Sequence, residues 1–377
     1  MIIHLHNLIF LYRLISILIV LTIMYEIYQQ MKLDKQKKII NQYNIYYVNL
    51  RSYVNNKNVT ERPFSMTEEI HTIKEMKTQI KRINLGQKIY NMFLGPIDHK
   101  TQIIVIQVRS NLFYFQKLLA SLKKARGISK SLLVFSHDYY DSDINNAVKS
   151  VNFAKYMQIF YPYSIQLYPN VYPGYDSKLC TEGYVCTSSE ARDAALAQEK
   201  HHWWWQANQI FDNMPVTNNY YFDVLFLEES NYVTEDFLYA YKLLQGVRPK
   251  LCSYCELLSL GAHKPQLIEY QKSRARLIVE IWTDNMLRIG IAFNRDIWNA
   301  VKSWRRDFCY YNDYNWDVSL RSLGSRKWNR NIFVLGILGS RVLEIEKCDS
   351  RNASCTADNF VDTCLLNRYQ RTYFQKK

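Results

Sequence analysis

A hydrophobic run that empties into acidic residues is the first place in this chain where chemistry is legible. Val224–Leu227 is followed at once by Glu228, Glu229 and Ser230. Carboxylates at the end of a buried strand suit a hard cation that bridges a diphosphate, and an ordinary polar loop start is the competing reading. A second cluster, His201-His202-Trp203-Trp204-Trp205, sets two titratable rings beside three adjacent indoles. Three successive side chains cannot share one face of a helix, so some indoles pack inside while the histidines turn toward a site. The alternative is a buried aromatic cluster with solvated histidines. Asp138 closes the triplet Ser136-His137-Asp138, directly after the apolar run Leu132–Phe135.

Such residues need a scaffold that delivers strand ends to one edge. Gln102–Val108 reads as a buried strand, Leu112, Phe115, Leu119 and Leu122 mark a helix ending near Gly127, and Leu132–Phe135 reads as a second strand. This alternation predicts an α/β fold with a parallel sheet, in which ligands bind beyond the carboxyl ends of the strands.

With 377 residues, 48% of them hydrophobic and 15% aromatic, the chain can fill one large domain or two ordinary ones, which argues against wholesale disorder. A formal charge of +14 fits nucleic acid, an anionic membrane surface or an anionic small ligand, and the basic residues are scattered rather than gathered into a long run. All eight cysteines lie at or beyond Cys180. Close pairs at 180/186, 252/255 and 348/355 leave Cys309 and Cys364, a pattern that predicts disulfides in an oxidising compartment. Cys252-Ser-Tyr-Cys255 also has zinc-site spacing, but no second pair of ligands follows it. The glycosylation sequons Asn58-Val-Thr60 and Asn352-Ala-Ser354 point to the same compartment.

Leu8–Tyr25 is apolar apart from Arg13, Ser16 and a few weakly polar residues, and no small-residue cleavage site follows. The expectation is a short cytoplasmic tail at residues 1–7, an uncleaved transmembrane signal anchor at 8–27, a stem at 28–100 and one lumenal domain at 101–377. Lys32, Lys35, Lys37 and Lys38 follow the span, and the positive-inside rule alone would put the C-terminal part in the cytosol; the cysteines and sequons favour the lumen. Within the stem, Thr67–Ile83 reads as a helix, and Gly95-Pro96 marks the stem's end.

More specific stretches are Val134–Asp138 (VFSHD), Ser164–Asn170 (SIQLYPN), Lys200–Trp205 (KHHWWW), Leu225–Glu229 (LFLEE) and Asp313–Asp317 (DYNWD). In these, and in order from about residue 101 to 370, the chain resembles the N-acetylglucosaminyltransferase II family. The resemblance implies a glycosyltransferase A-type, Rossmann-like catalytic domain in a type II Golgi membrane protein. It also implies UDP-GlcNAc as donor and manganese as cofactor. The implied reaction is inverting transfer of GlcNAc, in β1,2 linkage, to the α1,6-arm mannose of N-glycans on glycoproteins. The implied disulfides are Cys180–Cys186, Cys252–Cys255, Cys309–Cys364 and Cys348–Cys355; a further family bridge is absent, its positions falling near Trp304 and Lys327. By position, Asp317 is the expected catalytic base, and Asp313, Asn315 and Trp316 shape the acceptor site. Contacts to the nucleotide sugar fall on Gln107, Val108, Arg109, Ser110 and Asn111, on Asp138 as uracil partner, and on Gln198, Glu199, Lys200, His201 and His202.

Departures from the family pattern fall on the chemistry. Ser230 stands where the family has a manganese-binding Asp, and Glu344 stands at its second, histidine, ligand. Glu229 is a further candidate ligand if the strand end rotates, since neighbouring strand side chains point to opposite faces. The donor loop reads Gln107-Val-Arg-Ser-Asn111 instead of Gln-Val-His-Asn-Arg, so Arg109 keeps a positive group nearby. A substrate-contacting family arginine has no clear counterpart around Leu267, with Lys264 close by. One expectation is an active transferase with a rearranged or weaker metal site, less dependent on manganese through Arg109 or Glu344. The other is a non-catalytic relative that binds glycan or nucleotide sugar. Asp317 favours the first and Ser230 the second. The anchor, cysteines and sequons oppose nucleic-acid binding.

Overall fold

The computed structural model describes residues 66–168, 194–262, 276–283 and 287–345. The chain divides into two compact units, Met1–Glu68 and Glu69–Lys377, and nearly all described residues belong to the second. The apolar N-terminal stretch, both sequons, Cys180, Cys186, Cys348, Cys355 and Cys364, and Lys264 and Leu267 lie outside the described residues. Among the described residues no helix is long and apolar enough to cross a membrane.

Helix α1 spans Met66–Gly86. It is followed by β1 (Gln102–Val108), α2 (Leu112–Lys124), β2 (Ser131–His137), α3 (Ser142–Lys149) and β3 (Lys155–Phe160). Next come α4 (Ala194–Asn208), β4 (Val224–Glu228), β5 (Asn231–Val233), α5 (Phe237–Leu251) and β6 (Leu257–Ala262). The remainder is β7 (Leu277–Ile281), β8 (Leu287–Phe293), α6 (Arg295–Ser303), α7 (Arg305–Tyr311), α8 (Trp316–Arg326), β9 (Phe333–Ile337) and β10 (Val342–Glu344).

Eight strands form one sheet in the order β3-β2-β1-β4-β8-β6-β9-β7. The pairs β3–β2, β2–β1, β1–β4 and β6–β9 are parallel. Strand β8 runs antiparallel to both β4 and β6, and β7 runs antiparallel to β9. The sheet is therefore mixed, where strand–helix alternation predicts a parallel one. A strand buried on both faces loses the alternation that would betray its setting, and β1 and β2 are buried at every position.

Successive β1 residues feed opposite layers, as the pleat requires. Ile104, Ile106 and Val108 pack with Phe115 of α2 and Phe237 and Tyr241 of α5. Ile103 and Val105 pack in the second layer, which holds Trp203 of α4, Trp298 of α6, Phe308 of α7 and Leu320 of α8. The helix-bearing layers thus sit on both faces, and the carboxyl ends of β1, β2 and β4 open toward one edge.

Residues 69–100, placed in the stem by the sequence reading, belong to the compact unit. Ile80 of α1 is buried with Phe160 and Leu167. The Asn84 amide brackets the end of β3, donating to Phe160 O at 2.7 Å and accepting from Phe160 N at 2.8 Å. Asn91 Nδ2 donates to the carbonyls of Val151 and Ala154 at 2.7 and 2.8 Å. Ile80, with the partly buried Met76 and Ile83, thus packs the apolar stripe of α1 against the end of β3.

Cys252 and Cys255 form a disulfide, the pairing expected from sequence. Where the resemblance implies a lost bridge, the Lys327 ammonium lies 5.0 Å from the centre of the Trp304 ring, and it pairs with Asp307 at 2.8 Å. A cation–π contact joins α8's end to α7's start at that place.

Candidate active site

The carboxyl end of β1 is tied down from two sides. Gln107 is buried, and its amide donates to Glu199 O at 3.3 Å and accepts from Gln206 Nε2 at 3.1 Å, fastening α4 to the strand. Glu229 is also buried, and its carboxylate accepts the Arg109 backbone N–H at 2.7 Å and that of Asn111 at 3.3 Å. Glu229 is therefore spent on shaping the turn into α2, not aimed outward as a metal ligand. Asn111 caps α2 by accepting from Tyr114 N at 3.2 Å, Ser110 is exposed, and Val108 O accepts from Asp138 N at 3.1 Å. The Arg109 guanidinium leaves this turn to pair with Glu199 at 2.8 Å and with Glu228 at 3.0 Å.

At the end of β2, Asp138 is nearly buried and accepts from Gln198 Nε2 at 3.1 Å; Gln198 in turn accepts from Ile165 N at 2.6 Å. Burial raises the Asp138 carboxyl to about 6, against the opposing pull of Arg109's charge and the Gln198 bond. His202 has no exposed surface; its Nε2 lies 2.7 Å from Ser136 Oγ and its Nδ1 3.9 Å from Asp138 Oδ2. Burial, then the neighbouring His137 and Arg109, push the His202 pKa well down, and burial lowers His137 to about 3, so both rings are neutral at physiological pH. The pairing of α4 with β2 thus presents Asp138 with a neutral imidazole and an amide behind it.

The aromatic run divides as helical geometry demands. Trp203 is buried and stacks on Trp316 with centroids 4.5 Å apart, Trp204 meets Trp298 and Phe308, and Trp205 meets Tyr161 and His202. His201 is part-exposed and lies 3.9 Å from Asp313. Lys200, expected among the donor contacts, is engaged with backbone carbonyls. Its buried ammonium donates to the carbonyls of Phe308 at 2.7 Å, Cys309 at 3.0 Å and Asn312, at the C-terminus of α7. There it satisfies carbonyls that the helix end leaves open. Cys309 sits in α7, and its expected partner Cys364 is outside the described residues.

Asp317 lies in the first turn of α8, beside Trp316 and after the exposed Asn315. Its side chain is 10% exposed. Oδ2 takes both Arg288 Nη2 and Arg321 Nη1 at 3.2 Å. Sequence reasoning missed both arginines. Arg321 had a visible signal, being one helical turn from Asp317; Arg288, on β8, had none.

Ser230 and Glu344 are brought one register step apart on a single strand pair. Strands β5 and β10 pair antiparallel with Asn231 opposite Glu344, and Ile345 N donates to Ser230 O at 3.0 Å. Two glycines allow β10 to cross so close: a Cβ at Gly261 would lie 2.1 Å from Val342 O, and Gly290 adopts φ +60° against the same residue. Burial raises the Glu344 pKa, opposed by the charges of Arg288 and Arg109. The charges of both Arg109 and Arg288 therefore act on Glu344.

These residues do not fit manganese. Ser230 offers a neutral hydroxyl, Glu229 is engaged by backbone amides, and two guanidiniums act on Glu344. Among the described residues no group of three or more His, Cys, Asp or Glu comes together as a ligand set.

A mixed α/β sheet with a charged cluster at the carboxyl edge of its central strands defines the class. Within it, the chain matches N-acetylglucosaminyltransferase II (MGAT2) over residues 77–376, a match that begins inside α1. The chain belongs to that family. It is similar to alpha-1,6-mannosyl-glycoprotein 2-beta-N-acetylglucosaminyltransferase of Sus scrofa, 34% identical over 263 residues, covering 66% of this chain and 59% of that protein. The proteins of the same name from Homo sapiens and Arabidopsis thaliana are 32% and 27% identical, covering 66% and 70% of this chain and 59% and 63% of theirs. The chain thus spans about three fifths of the length of these relatives.

Proposed function

We propose that this chain is an inverting β1,2-N-acetylglucosaminyltransferase of N-glycan processing, with a glycosyltransferase A-type domain that takes UDP-GlcNAc and the α1,6-arm mannose. Family membership supports the reaction class. The observation that carries the site assignment is the Asp317 carboxylate held by Arg288 and Arg321, together with the buried Asp138–Gln198 hydrogen bond at the end of β2.

In this reading Asp138 faces the uracil and Arg109 the diphosphate. The mannose 2-hydroxyl attacks C1 of the donor sugar from the side opposite the diphosphate. As the O2–C1 bond forms, its proton passes to Asp317, and the C1–O bond breaks with the electron pair leaving on UDP. Oδ2 of Asp317 is held by two guanidiniums, which leaves Oδ1 to receive that proton. No step is routed through a metal, because the described ligand set does not fit one.

The Cys252–Cys255 disulfide supports an oxidising compartment, in keeping with a lumenal domain on a Golgi membrane anchor at residues 8–27. The function is tested by incubating the full-length chain with UDP-GlcNAc and a biantennary N-glycan precursor. GlcNAc transfer by the wild type, lost in Asp317→Asn with UDP binding kept, is the expected result. Donor binding without transfer by the wild type would instead assign a non-catalytic nucleotide-sugar binder.

A further inference from the structure

Resting on the transferase reading above, we propose that Arg109 supplies the positive charge that the donor diphosphate needs, so that a nucleoside diphosphate binds this chain without a divalent cation. Two positions that could carry the metal are disabled for separate reasons: Ser230 has no charge, and both oxygens of Glu229 accept backbone N–H groups. The neutral or engaged groups are not compensated elsewhere, since no other ligand set forms among the described residues.

Arg109 is built for the task. Its main chain is pinned by Glu229 at 2.7 Å, so the side chain starts from a fixed point at the end of β1. Its guanidinium is held between Glu199 and Glu228, whose side chains are 30% and 38% exposed, and it keeps 23% exposure of its own. It is therefore positioned yet open to solvent. Its charge acts on Asp138, His202 and Glu344. A planar guanidinium meets phosphate oxygens through paired N–H donors, and a fixed cation stabilises the charge that grows on a departing diphosphate.

Calorimetric titration of the full-length chain with UDP, once in chelator and once with saturating manganese, tests this. UDP is expected to bind in chelator, and manganese to change the affinity by less than about twofold. Arg109→Gln is expected to weaken that binding by about tenfold or more, and Arg109→Lys by less. Binding that appears only with manganese overturns the inference and leaves the transferase reading standing. So does metal-free binding that Arg109→Gln leaves unchanged. No UDP binding under either condition overturns both. Circular dichroism shows whether Arg109→Gln folds; if it does not, the wild-type comparison and Arg109→Lys decide.

Discussion

Nη2 of Arg288, on β8, lies 3.2 Å from Oδ2 of Asp317, at the start of α8. Arg321 reaches the same oxygen at 3.2 Å from one turn along the helix, and its guanidinium also lies 5.4 Å from the centre of the Trp282 ring. One carboxylate oxygen is thereby committed to orientation while its twin takes neither guanidinium. On the proposed transferase reading, Asp317 is a general base that must be aimed before it can act, and a strand and a helix together hold it.

Asp317→Asn is expected to lower kcat by about a hundredfold to ten-thousandfold, the span typical of a lost general base, with the Kd for UDP unchanged. Turnover at the wild-type rate would remove Asp317 from the proton transfer.

On the proposed transferase reading, Arg288 acts on the reaction through Asp317. Arg288→Ala is expected to reduce kcat by about tenfold or more without raising the donor KM, and Arg288→Lys to recover part of the loss. A proportional loss of folded protein with kcat intact would mark Arg288 as merely structural.

Burial holds the Asp138 carboxyl at about 6, raised from 3.8. The folded chain keeps this proton between those two pH values while the unfolded chain releases it. Its stabilising contribution is therefore full below about pH 4 and lost as pH rises through about 6. Asp138→Asn escapes that loss. Relative to wild type it is expected to gain up to about 3 kcal/mol above pH 7, and nothing below about pH 4, read as Tm at both pH values. The same variant is expected to weaken UDP binding, a trade of function for stability. Equal shifts at both pH values would refute the assignment of the raised pKa.

Ser230→Asp places a carboxylate one residue before Asn231, which the β5–β10 register sets opposite Glu344. Manganese affinity, measured by electron paramagnetic resonance, is expected to rise about tenfold or more, while burial of the new charge costs about 1–3 kcal/mol of stability. An unchanged manganese signal would show that position 230 does not face the Glu344 carboxylate.

Lys200→Met removes an ammonium that holds three carbonyls at the end of α7. A loss of about 1–3 kcal/mol in chemical denaturation is expected, with UDP binding kept in the folded fraction. Loss of UDP binding in a fully folded variant would return Lys200 to the donor site.

Much was legible from residue order because it depends on local periodicity. The strand read at Gln102–Val108 has those bounds, the helix read at Thr67–Ile83 lies within Met66–Gly86, and the close pair Cys252 and Cys255 is a disulfide. The motif from Asp313 to Asp317 and the family it signals also rest on residue order alone. A pleat of period two and a helix of period 3.6 leave their marks within a few residues, so such features need no distant partner.

Only the tertiary structure decided what each charged group is for. Glu229 shapes a turn, Lys200 closes a helix, Arg288 pairs with Asp317, and β10 crosses two glycines to set Glu344 opposite Asn231. It also reversed β7 and β8 within the sheet and drew α1 into the core. A carboxylate or an ammonium has the same chemistry wherever it stands in the chain. Its work is set by partners that arrive from other elements, and burial then fixes whether its charge faces a backbone, a guanidinium or a ligand.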